Sequence, residues 1–340
     1  MSADQKSRST LPRIGITVGD VAGIGPEIVL KSLSDNATLQ ICTPVVICDL
    51  KGLSSYPEFE SLRDKIEIVD LANLTTEVRP GEESAETGRA SGEFIVKAVE
   101  LWRAGTIDAI ATAPISKKAL NAGGYNFPGH TEFLAELTGT GEFAMSFFAD
   151  KLRVVLLSTH LSLIDAIGQV TTDNLVRLIA FSNGQLERLL HRKVRIAVAG
   201  LNPHASENGM FGSEEADQIS PAIDHCRDSL RIDVSGPYSP DTVFLRGFRG
   251  EFDAVIACYH DQATIAVKSL SFGSAVNVTL GLPLIRTSVD HGTALDIAGK
   301  GIADASSMSA AIKLAAELAS LQKRSQAIGS RGGTQTGIVR

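Results

Sequence analysis

The amino-acid sequence predicts an α/β protein built on a largely parallel sheet. Three observations predict it. Short runs of β-branched and aliphatic residues alternate with longer segments of helical periodicity. Stretches rich in Gly, Pro and hydroxyl residues mark the switches between the two. The length, 340 residues, suits about two domains of ordinary size.

The elements follow in order. Ile14 to Val18 is the first strand, and Pro26 to Leu33 the first helix. Proline suits a first helical turn, where its missing N–H has no partner to lose. Pro44 to Cys48 and Lys65 to Ile68 are further strands. Glu86 to Ala104 has helical spacing, with Phe94, Val96, Ala98, Val99 and Leu101 on its apolar side. Ala109 to Ala113 is a short buried strand. Arg153 to Ser158, Arg195 to Ala199, Ala254 to Ala257 and Ala275 to Val278 are later strands. Helices fill Leu161 to Gln169, Thr172 to Leu189, Glu214 to Ser229 and Ser306 to Lys323. There is no internal repeat. The polar segment 1–12 lacks the apolar core of a secretory signal and reads as a flexible leader. Residues 326–340 close a Gly-, Ser- and Arg-rich end that reads as a flexible tail.

Composition narrows the function. With 44% hydrophobic and 21% charged residues, a chain of this length buries a core without disulfide staples. Cys42, Cys48, Cys226 and Cys258 form no C-x-x-C pair and read as buried thiols, so a reducing, cytoplasmic setting is expected. A net charge of −7 argues against nucleic-acid binding, which needs a basic face to displace counterions. No apolar run reaches the roughly 18 residues that span a bilayer. The expected partner is a small molecule, with neither nucleic acid nor membrane.

In parallel sheets, function collects in loops at the carboxyl ends of strands. His160, His204 and His260 each follow a separate strand by a few residues. Three imidazoles from three strand ends are a candidate site for Zn²⁺ or a similar divalent ion, since catalytic zinc takes three protein ligands and keeps one position open. Spacing alone equally allows three unconnected loop histidines, because no compact ligand motif is present. His191 and His225 lie in polar helical stretches and are expected in solvent. The loop Asp290 to Gly301 combines glycines, hydroxyls and acids between a strand and a helix. It resembles the cofactor loop of the β-decarboxylating isocitrate and isopropylmalate dehydrogenases. Its His291, Gly292, Thr293 and Asp296 are candidate cofactor contacts. Gly19 to Glu27 is a glycine-rich turn that fails the G-x-G-x-x-G pattern, so a conventional dinucleotide fingerprint is not expected there. Lys268, Asn277 and Arg286 flank the Ala275 to Val278 strand, and Gly129-His130-Thr131 precedes a helix expected from about Glu132. Arg and a helix start both suit anions. Taken alone, Lys268 and Arg286 are as readily solvated surface charges.

Together these strings resemble the 4-hydroxythreonine-4-phosphate dehydrogenase family of vitamin B6 biosynthesis. The resemblance runs from about Ile14 to about Leu321. It rests on Gly19 to Glu27, Thr112 to Lys117, Gly129 to Ala135, Leu201 to Ala205, Asp241-Thr242, Tyr259 to Gln262 and His291 to Gly301. It implies two α/β/α domains with a cleft between them, as in isocitrate and isopropylmalate dehydrogenases. Residues 13–128 with 281–325 would form the first domain and 129–280 the second. It implies His160, His204 and His260 as metal ligands, in a site shared across a homodimer. It puts His130, Thr131, Lys268, Asn277 and Arg286 at substrate-binding positions and Asp241 near the substrate. Asp241 and Lys268 are the candidate proton acceptors. The cofactors implied are NAD or NADP and a divalent metal: zinc, with magnesium, manganese or cobalt as alternatives. The expected reaction oxidises 4-phosphohydroxy-L-threonine to a β-keto acid, whose decarboxylation gives 3-amino-2-oxopropyl phosphate.

Two departures matter. Val21 stands where the family usually has Pro. The stretch Ser206 to Gly212 looks more like paralogues acting on D-threonate or D-erythronate 4-phosphate. The alternatives are a dehydrogenase of such four-carbon acids or of another small hydroxy acid and, remotely, a binding paralogue without chemistry.

Overall fold

This computed structural model describes residues 11–271 and 273–332, the side chains of 328–332 excepted. Its strands in chain order are β1 (Arg13–Thr17), β2 (Thr43–Cys48), β3 (Glu67–Asp70), β4 (Ala109–Thr112), β5 (Ala144–Ala149), β6 (Leu152–Leu156), β7 (Ile196–Ala199), β8 (Val234–Tyr238), β9 (Ala254–Ala257), β10 (Val276–Leu280) and β11 (Ile285–Ser288). The chain divides into two compact units, Met1–Gly141 with Leu282–Arg340, and Glu142–Gly281. The α/β class read from the sequence holds. The boundary differs from the expected 128/129, because helix His130–Thr138 packs against helix Ala85–Arg103 of the first unit.

The first unit carries the strand order β3-β2-β1-β4-β11, all parallel. The chain moves outward from β1 to β2 and β3, then returns to place β4 on the other side of β1. That reversal is where ligand-binding loops gather in open α/β sheets. β4 is buried along its whole length, as expected of a strand covered on both faces. Helix Ala85–Arg103 starts on a reciprocal cap: Thr87 N donates to Ser84 Oγ and Ser84 N to Thr87 Oγ1, both at 3.1 Å. Its Gly88 has a packing reason. A Cβ there would lie 1.8 Å from Ala119 O, so helix Lys117–Ala122 rests directly on the glycine.

The second unit carries the order β10-β5-β6-β9-β7-β8. β5 runs antiparallel to both neighbours, and the other pairs are parallel. Its core joins Phe147, Leu152, Leu156, Val255 and Phe244. Each such side chain contributes about 1.5–3 kcal/mol by leaving water. All four cysteines are free and buried.

The differences from expectation have local causes. β5 reads Ala-Met-Ser-Phe-Phe-Ala without a β-branched residue. β8 contains Gly and Pro, which a strand at the end of a sheet tolerates. β11 is short, and its sequence Ile-Arg-Thr-Ser is polar after the first residue. Residues 11–12, expected within a leader, run into β1: Pro12 is buried and its carbonyl accepts from Thr43 N at 2.8 Å. The last helix spans Ser306–Gly332, overriding the tail expected from residue 326. Residues 1–10 and 333–340, the rest of the expected tails, lie outside the described residues. Among the described residues no helix is long and apolar enough to cross a membrane.

Candidate active site

In the second unit, β6, β9 and β7 are adjacent and parallel. Their carboxyl ends lead to His160, His260 and His204 respectively. His260 opens helix His260–Leu270, and its Nδ1 lies 3.2 Å from Asp261 Oδ1. The rings of His160 and His260 stand with centroids 5.8 Å apart. His204 sits in a left-handed turn (φ 54°) and its ring faces Phe211, centroids 6.3 Å apart. The expected triad is therefore only partly assembled: among the described residues, no three His, Cys, Asp or Glu side chains gather to hold a metal ion. Tertiary structure draws two imidazoles together and turns the third onto an aromatic ring. Imidazole nitrogen is the donor type that zinc and its neighbours accept, so the His160–His260 pair fits such an ion.

Sequence reasoning passed over Glu215. It is buried, and its Oε1 accepts from Leu201 N and Asn202 N at 2.8 and 2.7 Å, directly upstream of His204. The one signal in the chain is the acidic pair Glu214-Glu215 after a glycine-bearing loop. His191 and His225 are exposed, as their polar surroundings implied.

The other second-unit candidates are dispersed. Asp241 lies exposed in the first turn of helix Pro240–Phe248, where its Oδ1 accepts from Ser239 Oγ at 2.5 Å. Lys268 is exposed near the end of the His260 helix. Asn277 lies on β10 opposite Phe147, with a buried Oδ1 that has no hydrogen-bond donor.

The first unit holds a buried cation. Arg286 on β11 is 3% exposed, and its Nη2 donates to Thr112 Oγ1 at 2.9 Å. Burial lowers its pKa to about 10, with Glu132 acting in the opposite direction. His130 and Thr131 form the start of helix His130–Thr138, two positions earlier than expected. His130 is half-buried as a residue, yet its Nε2 is out of contact with water and has no partner. Burial first, and the Arg286 charge second, hold its pKa well below the ordinary range. The imidazole is therefore neutral at pH 7. A desolvated guanidinium beside a helix N-terminus is a setting that favours an anion.

Three of the motif strings, Gly19 to Glu27, Thr112 to Lys117 and His291 to Gly301, meet in the same unit. Asp20 N donates to Pro114 O and Ile24 N to Thr293 O, each at 3.0 Å. Gly19 adopts φ 70°, and a Cβ there would lie 2.1 Å from Pro114 O. His291 Nδ1 lies 3.0 Å from Gly292 O, and a Cβ on Gly292 would meet open space. Thr293 is half-buried and Asp296 exposed. A cavity of about 360 Å³ opens beside these loops, lined by Val21, Lys51, Tyr56, Thr75 and Pro80 among others.

Comparison with known proteins gives this arrangement a class. The chain is 46% identical over 326 residues to D-threonate 4-phosphate dehydrogenase of Cupriavidus necator, covering 91% of this chain and 98% of that protein. It is 43% identical over 325 residues to 4-hydroxythreonine-4-phosphate dehydrogenase of Desulfosudis oleivorans, covering 91% and 96%. The crystal structure of 4-hydroxythreonine-4-phosphate dehydrogenase from Klebsiella pneumoniae superposes with a TM-score of 0.81 at 40% identity, covering 91% of this chain and 99% of that one. The protein is thus an α/β enzyme of dehydrogenase type. The family model described as pyridoxal phosphate biosynthetic protein PdxA matches residues 29–315, and the chain belongs to that family.

Proposed function

We propose that this chain is an NAD(P)-linked, divalent-metal-dependent dehydrogenase that oxidises 4-phosphohydroxy-L-threonine and releases CO₂ to leave 3-amino-2-oxopropyl phosphate. The observation that carries the reading is the desolvated Arg286 guanidinium beside the His130–Thr131 helix start, a built receptor for an anionic group. The 43% identity to an enzyme named for that substrate supports it.

Arg286 would grip an anionic end of the substrate, with Thr112 fixing the plane of its guanidinium. Neutral His130 adds a hydrogen-bonding nitrogen without adding charge, and Thr131 belongs to the same helix start. Lys268 and Asn277 are the further binding candidates. Asp241 or Lys268 takes the proton of the substrate hydroxyl as the carbinol hydrogen leaves with its electron pair. The bond from the β-keto acid to its carboxylate then breaks, CO₂ departs, and the enol left behind takes up a proton at carbon. His160 and His260, with His204, would hold the metal; His291, Gly292, Thr293 and Asp296 would meet the dinucleotide. When bound, the nicotinamide accepts the hydride and the divalent ion, zinc in first place and magnesium, manganese or cobalt otherwise, polarises the reacting oxygen.

A homodimer with a shared metal site is part of the reading. The segments following the three histidines expose large apolar side chains: Ile164 (82%), Met210 (73%) and Ile265 (66%). Such surface is usually covered by a partner. Four free, buried thiols support a cytoplasmic setting.

One observation favours a second substrate. The relative named for D-threonate 4-phosphate shares 46% identity, against 43% for the one named for hydroxythreonine phosphate. The test is NAD(P)H formation with each of Zn²⁺, Mg²⁺, Mn²⁺ and Co²⁺. 4-Phosphohydroxy-L-threonine is run beside D-threonate and D-erythronate 4-phosphates. Metal-dependent turnover of the first supports the primary reading. Turnover of the sugar-acid phosphates alone replaces it with the second. No turnover of any rejects both.

A further inference from the structure

We infer that Glu215 and Gln262 are positioning residues that lock the His204 loop and the His260 helix into one register. This rests on the proposed metal-binding role of those histidines and names side chains behind them.

The exits of β6, β9 and β7 are joined crosswise by side chains. Ser158 Oγ, just ahead of His160, donates to Cys258 O at 3.1 Å. Gln262, in the first turn of the His260 helix and 8% exposed, then spans two exits at once. Its Oε1 accepts from Cys258 N at 2.7 Å, and its Nε2 donates to Gly200 O at 2.8 Å. An amide suits both, because it carries an acceptor oxygen for the Cys258 N–H and, on a separate atom, a donor nitrogen for the Gly200 carbonyl. From Gly200 the chain passes to Leu201 and Asn202, whose N–H groups both donate to Glu215 Oε1. Glu215 Oε2 accepts from Asn202 Nδ2 at 2.9 Å. Glu215 is 3% exposed and sits on the π-helical turn Glu215–Ile219.

The need for such a brace is visible in the backbone it holds. His204, Ala205, Ser206, Glu207 and Asn208 all have positive φ, between 45° and 66°. Non-glycine residues keep that conformation only where the surroundings impose it. Glu215 anchors the chain immediately before this run. Gly200 allows the close approach, since a Cβ there would lie 2.9 Å from Ala205 Cα and 3.1 Å from Glu215 Oε1. A small shift at either polar residue is carried to an imidazole a few residues away, and metal affinity is sensitive to ligand orientation.

The test is Co²⁺ titration of the full-length protein, read by its visible absorption band and by calorimetry, with far-ultraviolet circular dichroism as the folding check. Wild type is compared with Glu215→Gln, Gln262→Leu and His204→Ala. The expected result is a loss of Co²⁺ affinity of about tenfold or more in Glu215→Gln and Gln262→Leu, with a displaced absorption band and unchanged secondary structure. Should either variant fail to fold, Asn202→Ala removes the side-chain contacts to Glu215 Oε2 and Glu214 Oε2 but keeps both backbone N–H bonds to Glu215 Oε1, and a smaller weakening with a displaced band is expected. Wild-type affinity and band in the folded brace variants, with binding lost in His204→Ala, overturns the brace alone. Equal binding by wild type and His204→Ala overturns the metal reading and the brace with it.

Discussion

Arg286 on β11 donates to Thr112 on β4 across 2.9 Å, so a buried guanidinium is oriented by the neighbouring parallel strand. Thr112→Val keeps the side-chain shape and removes this acceptor. KM for the phosphorylated substrate should rise about tenfold, with a smaller change in kcat, and stability should fall by about 1–3 kcal/mol. Steady-state kinetics and urea unfolding check the two effects. An unchanged KM would mean that the Thr112 contact does not set Arg286 for the substrate.

The three histidines give a second prediction. His160→Ala, His204→Ala and His260→Ala should each abolish metal-dependent turnover and leave the thermal unfolding midpoint within a few degrees, because His160 and His204 are exposed and His260 is only half-buried. Wild-type turnover in any one excludes that residue from the metal site.

His130 links stability to pH. Its folded-state pKa is depressed, chiefly by burial and then by Arg286, from an ordinary value of 6.5. As pH falls through 6.5 the unfolded chain takes up a proton that the folded chain refuses. Stability is therefore full above that value and drains away below it. His130→Gln should flatten the decline of the urea midpoint between about pH 7 and pH 5. A decline as steep as wild type would mean that the imidazole is protonated in the folded state.

Gly88→Ala tests the packing of the first unit. The added methyl would stand 1.8 Å from Ala119 O, a backbone atom that cannot rotate aside. Separation of helices Ala85–Arg103 and Lys117–Ala122 should cost about 3 kcal/mol. Gly105→Ala is a weaker comparison, since its Cβ would meet nothing within 4 Å, although its φ of 67° still strains an L residue. Equal destabilisation of the two would refute the close contact.

Much of this protein was determined by the sequence alone. β-branched runs placed β1, β2, β4, β6, β7 and β9 within a residue or two, because a buried parallel strand needs apolar side chains along its whole length. The histidines were found at the ends of their strands, and the buried thiols were read from their apolar neighbours. Tertiary structure alone decided the rest. β11 escaped notice because it is short and carries an arginine, which finds a buried partner in Thr112 through the pairing with β4. Glu215 looked like one more acid on a helix, until the β7 exit turned two backbone N–H groups toward it. The rings of His160 and His260 meet, and that of His204 turns to Phe211, through pairings of distant strands. Residue type and periodicity act locally and can be read along the chain. A side chain's partner is set by strand register and loop conformation, which exist only once the chain has folded.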